Sequence, residues 1–309
     1  MGHPLLLVQL VVILLTARGL AWLLHWIGQP PVIGEMIAGL ALGPLVFGAL
    51  APAWQGWLFA PASLPALDGL SQIGLVLFMF IVGAELRLPG GVRQTLRTAG
   101  TVGGLAVLQP LLRRWLTRHA ADGRPAGGVL AMLLIGALGC AAITEWLHLH
   151  AVFGAFVFGL CLPRDDALLA GLIERLEHVA VIALMPVFFA LTGLSTSVDA
   201  FHHHALGALA LILLVAVAGK VVGGALGAPL DGHGWRDSFA VGSLMNARGM
   251  VELIVLKIGL DAGVIGREMF TLLLVMAIVT TMMTTPMLLY FSRHRRVAAV
   301  DCSRHPDQG

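Results

Sequence analysis

An all-α polytopic membrane protein is the fold class this sequence predicts, and three observations predict it. Of 309 residues, 58% are hydrophobic and only 12% charged, with a mean hydropathy of +0.90; a soluble domain averages roughly 45–50% apolar and about 25% charged. Apolar runs recur at about the 20-residue length that carries a helix across a bilayer. Barrel-type alternation is absent, so helices are left to satisfy backbone hydrogen bonds in lipid. The 38 glycines suit transmembrane helices that pack closely.

At about 20 residues per span, the candidates fall near 4–24, 32–50, 69–88, 98–112, 127–146, 148–162, 178–196, 205–228, 238–258 and 270–290. The first lacks a basic leader and a small-residue cleavage site, and reads as a span rather than a signal peptide. Pro30–Pro31, Pro61, Pro65, Pro89, Pro125 and Pro163 mark most of the turns. The last span is expected to end near Tyr290, with 291–309 a cytoplasmic tail. A formal charge of +2 gives no reason to expect a nucleic-acid partner. Cys140, Cys161 and Cys302 are scattered without metal-ligand or disulfide spacing, which favours inert packing. No cofactor is expected.

Orientation follows from Arg and Lys in short loops. Arg293, Arg295 and Arg296 place the C-terminus in the cytoplasm; counting back, Arg236, then Arg164 and Arg175, then Arg113, Arg114, Arg118 and Arg124 also fall inside. Arg87, Arg93 and Arg97 want the same side, which puts the N-terminus outside. One crossing by 98–112 would set the two basic loops around it on opposite faces. That segment, TAGTVGGLAVLQPLL, is short, Gly-rich and carries Gln109–Pro110. An odd number of missing spans there would restore the parity.

The segment Phe239–Leu260 is long enough to span a bilayer, yet its middle holds Asn246, Arg248, Gly249 and Glu252. A charge in hydrocarbon costs roughly 2.5 to 3.5 kcal/mol on insertion scales, so it marks function. Gly249 lets the helix break, as discontinuous helices do at transporter ion sites. Arg248 and Glu252 are also spaced for an internal i, i+4 ion pair. Glu35, in VIGEMIAG, either lines a cation path or is a paired, hydrated carboxylate near the cytoplasmic end of its span. Lys220 lies deep in its own span, where a carboxylate partner would explain it; Lys257 is near a helix end and can snorkel. Thr192 offers a hydroxyl to a cation or water, or to its own helix backbone. Glu85, Arg87 and Glu145 read as boundary residues. Asp165–Asp166 follows Pro163–Arg164 in a loop, where a solvated pair cannot make protons and cations compete. His202–His204 reads as a surface loop, and neither HExxH nor GxSxG occurs, against a membrane-embedded hydrolase.

Several strings carry a resemblance: QPPVIGEMIAGLALGP at 29–44, LSQIGLVLFMFIVGAEL at 70–86 and TEWLHLHAVFGAFVFGLCLPR at 144–164. LMPVFFALTGLSTSVD at 184–199, LMNARGMVELIVLKIGLDAGVI at 244–265 and FTLLLVMAIVTTMMTTPML at 270–288 continue it. Together they resemble, in order, the membrane domain of the second monovalent cation:proton antiporter group of the sodium/hydrogen exchanger superfamily. The resemblance implies an inverted-repeat helix bundle in a bacterial inner membrane. It also implies a homodimer, and exchange of Na+ or K+ for H+ by alternating access. Asn246, Arg248 and Gly249 would then form a structural part of the ion pathway, with Glu252, Thr192, Glu35 and Lys220 along it.

Two expected strings are missing: a discontinuous helix with a TAFPVLARIL-like run, and a helix with a mid-membrane Asp-Asp or Asn-Asp pair. The pattern resumes at PLLRRWLTR, so about three spans are absent near 108–109, at about 20 residues each. The expected organisation is an N-terminal membrane part, 1–108, incomplete in its first repeat, a C-terminal part, 109–290, and the tail. A shortened relative that no longer transports is the alternative this absence raises.

Overall fold

The computed structural model describes residues 2–86, 120–121, 124–125, 127–162, 171, 174, 176–201, 205–227 and 250–302. Apart from one two-residue antiparallel ladder, Ala120–Ala121 with Arg124–Pro125, the regular structure among these residues is helical. The protein is all-α and multi-pass. Among the described residues, five helical segments are long and apolar enough to cross a membrane: Leu5–His25, Pro31–Gly48, Leu64–Glu85, Leu176–Leu194 and Arg267–Met287. Leu130–Trp146, Ala151–Leu160 and Gly207–Lys220 are shorter apolar helices.

Proline and glycine set the boundaries in the N-terminal part. Helix α1 (Gly2–His25) stops where Gly28 takes φ 74°, and the Gln29 amide turns back to the Leu24 carbonyl at 3.1 Å. Helix α2 (Pro31–Leu42) opens with Pro31, whose missing N–H costs nothing in a first turn. It ends at Gly43, held extended by the following Pro44, and a π-helical turn Pro44–Gly48 continues the path. At 1.5 Å per residue, twelve residues reach about 18 Å, so α2 alone does not span the hydrocarbon. A short helix α3 (Pro52–Leu58) follows. Helix α4 (Leu64–Glu85) begins before the expected 69, because Pro65 sits in its first turn instead of marking a loop.

The chain divides into two compact units, one of Met1–Leu7 with Ala60–Phe188, the other of Val8–Phe59 with Phe189–Gly309. Each draws residues from both sides of position 108. In the first unit, α4 packs against α5 (Gly127–Trp146) and α6 (Ala151–Leu160) around Phe80, Leu133, Ala137, Ala155 and Phe158. Phe80 and Phe158 stack with centroids 5.8 Å apart. Gly83 and Gly159 sit where a side chain would strike the facing backbone, which brings α4 and α6 close. The Glu145 carboxylate accepts the Ala151 amide at 3.0 Å and caps α6, beside His148 at φ 59°. A π-helical turn Ala180–Leu184 precedes α7 (Met185–Leu194), whose Pro186 cannot donate a regular helix bond.

The second unit holds α1 from Val8, α2, α3, the end of α7, α8 (Ala205–Gly227), α9 (Met250–Asp261) and α10 (Arg267–Cys302). The apolar span of α10 ends at Met287, close to the expected Tyr290, and the helix itself continues through Arg293, Arg295 and Arg296. Its early threonines hide their hydroxyls: Thr271 bonds the Arg267 carbonyl at 2.7 Å and Thr280 the Met276 carbonyl at 2.8 Å.

Candidate functional site

Gln9, Ile13, Ala17 and Ala21 recur every four residues on α1 and are all buried, so they form one packed face. On α2, Gly34 lies against the backbone of Leu20 and Ala21, where any side chain would collide. That close seating brings the next residue, Glu35, to Arg18. Arg18 Nη1 stands 3.4 Å from Glu35 Oε1; the carboxylate side chain is 3% exposed and the arginine 42%. Glu35 Oε2 is buried and has no hydrogen-bond partner among the described residues. A buried polar oxygen left unsatisfied is costly. Its lone pairs can take a proton or ligate a cation.

Gly39, one helical turn after Glu35 and on the same face of α2, meets the backbone of Phe189 and Ala190. Gly193 in turn abuts the Gly39 carbonyl, and Gly43 the Gly193 carbonyl. The backbones of α2 and α7 thus cross in direct contact one turn from the carboxylate. Thr192 is buried next to this crossing. Ser195 and Thr196 hydroxyls turn back to the Leu191 and Gly193 carbonyls at 2.9 and 2.6 Å.

Glu252 is half-buried in the first turn of α9, where a negative charge suits the helix dipole. Lys220 is half-buried on α8. Asn246, Arg248 and Gly249 lie outside the described residues, as do Arg87, Asp165–Asp166 and His202–His204. Lys257 pairs with Asp261 at 2.6 Å along the same helix. Cys140 and Cys161 are free thiols, half-buried and buried. Among the described residues no group of three His, Cys, Asp or Glu could hold a metal.

Arg18 is the residue that sequence reasoning passed over. It is the one charge in the first span, and the same rule that singled out Arg248 applies to it. Gln29 was equally silent, since its amide bonds the Met282 carbonyl, 253 positions away, at 3.2 Å.

The family model described as "Sodium/hydrogen exchanger, transmembrane" matches residues 11–112 and again 92–290, so 92–112 belong to both matches. The Na(+)/H(+) antiporter NhaS4 of Synechocystis is 29% identical over 92% of this chain and 96% of its own length. The Na(+)/H(+)-K(+) antiporter GerN of Bacillus cereus is 25% identical over 91% and 95%. The K(+)/H(+) antiporter 1 of Saccharomyces cerevisiae is 26% identical over 84% of this chain but 43% of its own. The Synechocystis alignment has 394 columns; 92% of 309 residues fills about 284, so about 110 columns face no residue here. Matched across residues 11–290, the chain belongs to the sodium/hydrogen exchanger family.

Proposed function

We propose that this chain is a secondary antiporter exchanging Na+ or K+ for H+ across the bilayer, weakened by the loss of carboxylate-bearing helices. The family match over 11–290 carries this reading. Glu35 supplies the exchange chemistry: its unpartnered oxygen takes either a proton or a cation, and Arg18 holds the other oxygen in place. Thr192 at the α2–α7 crossing, and Lys220, Asn246, Arg248, Gly249 and Glu252 of the later helices, complete the pathway. The host membrane on this reading is a bacterial inner membrane, which the Synechocystis and Bacillus cereus relatives, matched along 96% and 95% of their own length, support. The fold is an inverted-repeat bundle, incomplete in its first repeat, acting as a homodimer.

The test is purified protein in vesicles under an imposed pH gradient. Collapse of the gradient on adding Na+ or K+, lost in Glu35→Gln, supports the proposal; folded protein that leaves the gradient intact overturns it. The second reading, a shortened relative that no longer transports, is favoured by the roughly 110 unfilled columns. That null result would be its signature.

A further inference from the structure

Pro286 lies inside α10 and has no N–H, so the helix bond it would donate to the Met282 carbonyl cannot form. The hydroxyls of Thr280, Thr281 and Thr284 turn to other carbonyls, those of Met276, Ala277 and Thr280. Gln29 reaches the Met282 carbonyl, donating from Nε2 at 3.2 Å. Only the amide nitrogen can face a carbonyl, which fixes the orientation of the group. Gln29 is 6% exposed, so water does not compete freely for its side-chain amide. Two prolines with fixed φ, Pro30 and Pro31, join Gln29 directly to the first turn of α2. Holding Gln29 therefore holds the start of the helix that carries Glu35.

We propose that Gln29 is a positioning residue: its amide completes the backbone of α10 at Pro286 and so fixes α2, and with it the Glu35–Arg18 pair. Pro286 and Gln29 then form one device, in which the proline exposes an acceptor and the glutamine uses it. This goes beyond the transport reading and stands whether or not the protein moves ions.

The experiment is a double-mutant cycle on the full chain in detergent, using Gln29→Leu, Pro286→Ala and both together. Pro286 is exposed within a regular helix, so Pro286→Ala fits without repacking and returns a donor to Met282. One readout is the thermal midpoint; the other is labelling of Glu35 by a membrane-soluble carbodiimide, followed by mass spectrometry. With Pro286 present, Gln29→Leu is expected to lower the midpoint and change Glu35 labelling several-fold. In the Pro286→Ala background both effects shrink to near zero. Equal losses in both backgrounds, or unchanged labelling, overturn the proposal. If Gln29→Leu alone does not fold, recovery of folded protein in the double variant supports it and failure to recover overturns it.

Discussion

Gly193→Ala tests the α2–α7 crossing directly. A methyl at this position would stand 2.8 Å from the Leu40 nitrogen and nearer still to the Gly39 carbonyl. Optimal heavy-atom separations are about 3.5–4.0 Å, and here both parties are backbone, so neither can rotate away. The helices must separate, and overpacking of this kind costs roughly 1–3 kcal/mol. Alanine returns at most about 1 kcal/mol of helix propensity over glycine. Taking the upper end, because the obstacle is rigid, the net loss is about 2 kcal/mol. Gly139→Ala on α5 is the control: nothing lies within 4 Å of its added methyl, so only the propensity gain remains. Unfolding of both variants in detergent, by denaturant or heat, should separate them by about 3 kcal/mol, the sum of those two terms. Equal stability of the two would mean that α2 and α7 do not meet through Gly39 and Gly193.

Arg18→Met leaves the buried Glu35 carboxylate without its cation. Breaking a fully buried pair costs about 3–5 kcal/mol, and the partial exposure of Arg18 reduces this to roughly 1–3. Arg18→Met combined with Glu35→Gln should recover most of that stability in the same unfolding assay, and no recovery would refute the pair. Glu145→Ala removes the carboxylate that caps α6 and should cost about 1 kcal/mol, read as faster amide exchange at Ala151 and in the following turn. Lys257→Met should change stability by no more than about 1 kcal/mol, since its partner Asp261 is half exposed and the pair is screened.

Much of the fold was legible because its signals are local. The end of α1 and the start of α2 are written in Gly28 and Pro30–Pro31, and five of the ten apolar runs coincide with described helices long enough to cross a membrane. Pro65 misled because a proline suits a first helical turn as well as a loop; only packing upstream decides between them. The break inside the second span was half visible: Gly43–Pro44 announces it, but not the π-helical turn beyond. At the site, Glu35 could be picked out as a charge in an apolar run. Its partner could not be assigned, because sequence gives no register between α1 and α2. That register comes from Gly34 seating on Leu20 and Ala21, a contact whose only local trace is a glycine. Gln29 and Met282 are harder still, for the donor is an ordinary amide and the acceptor a backbone carbonyl exposed by a proline four residues on.

If the first half is shortened, as proposed, the retained residues must do more. Loop charges place the irregularity between Arg97 and Arg113, and the doubly matched segment, 92–112, straddles the same stretch. About 110 unfilled columns are enough for several spans with their loops; an odd number of them would satisfy the parity of the basic loops. On the reading proposed here, the removed helices carried the carboxylate pair, so the selection between cation and proton falls to a carboxylate that remains. Among the ion-pathway carboxylates, Glu35 is the one whose burial and unpartnered oxygen meet that need; Glu252 sits half-buried in a first turn, where the helix dipole already favours its charge. A single carboxylate whose charge an arginine already offsets attracts a cation at its remaining oxygen more weakly than two carboxylates would. Exchange through it should therefore be weaker than through a site with two carboxylates, and it should depend on Arg18 as strongly as on Glu35.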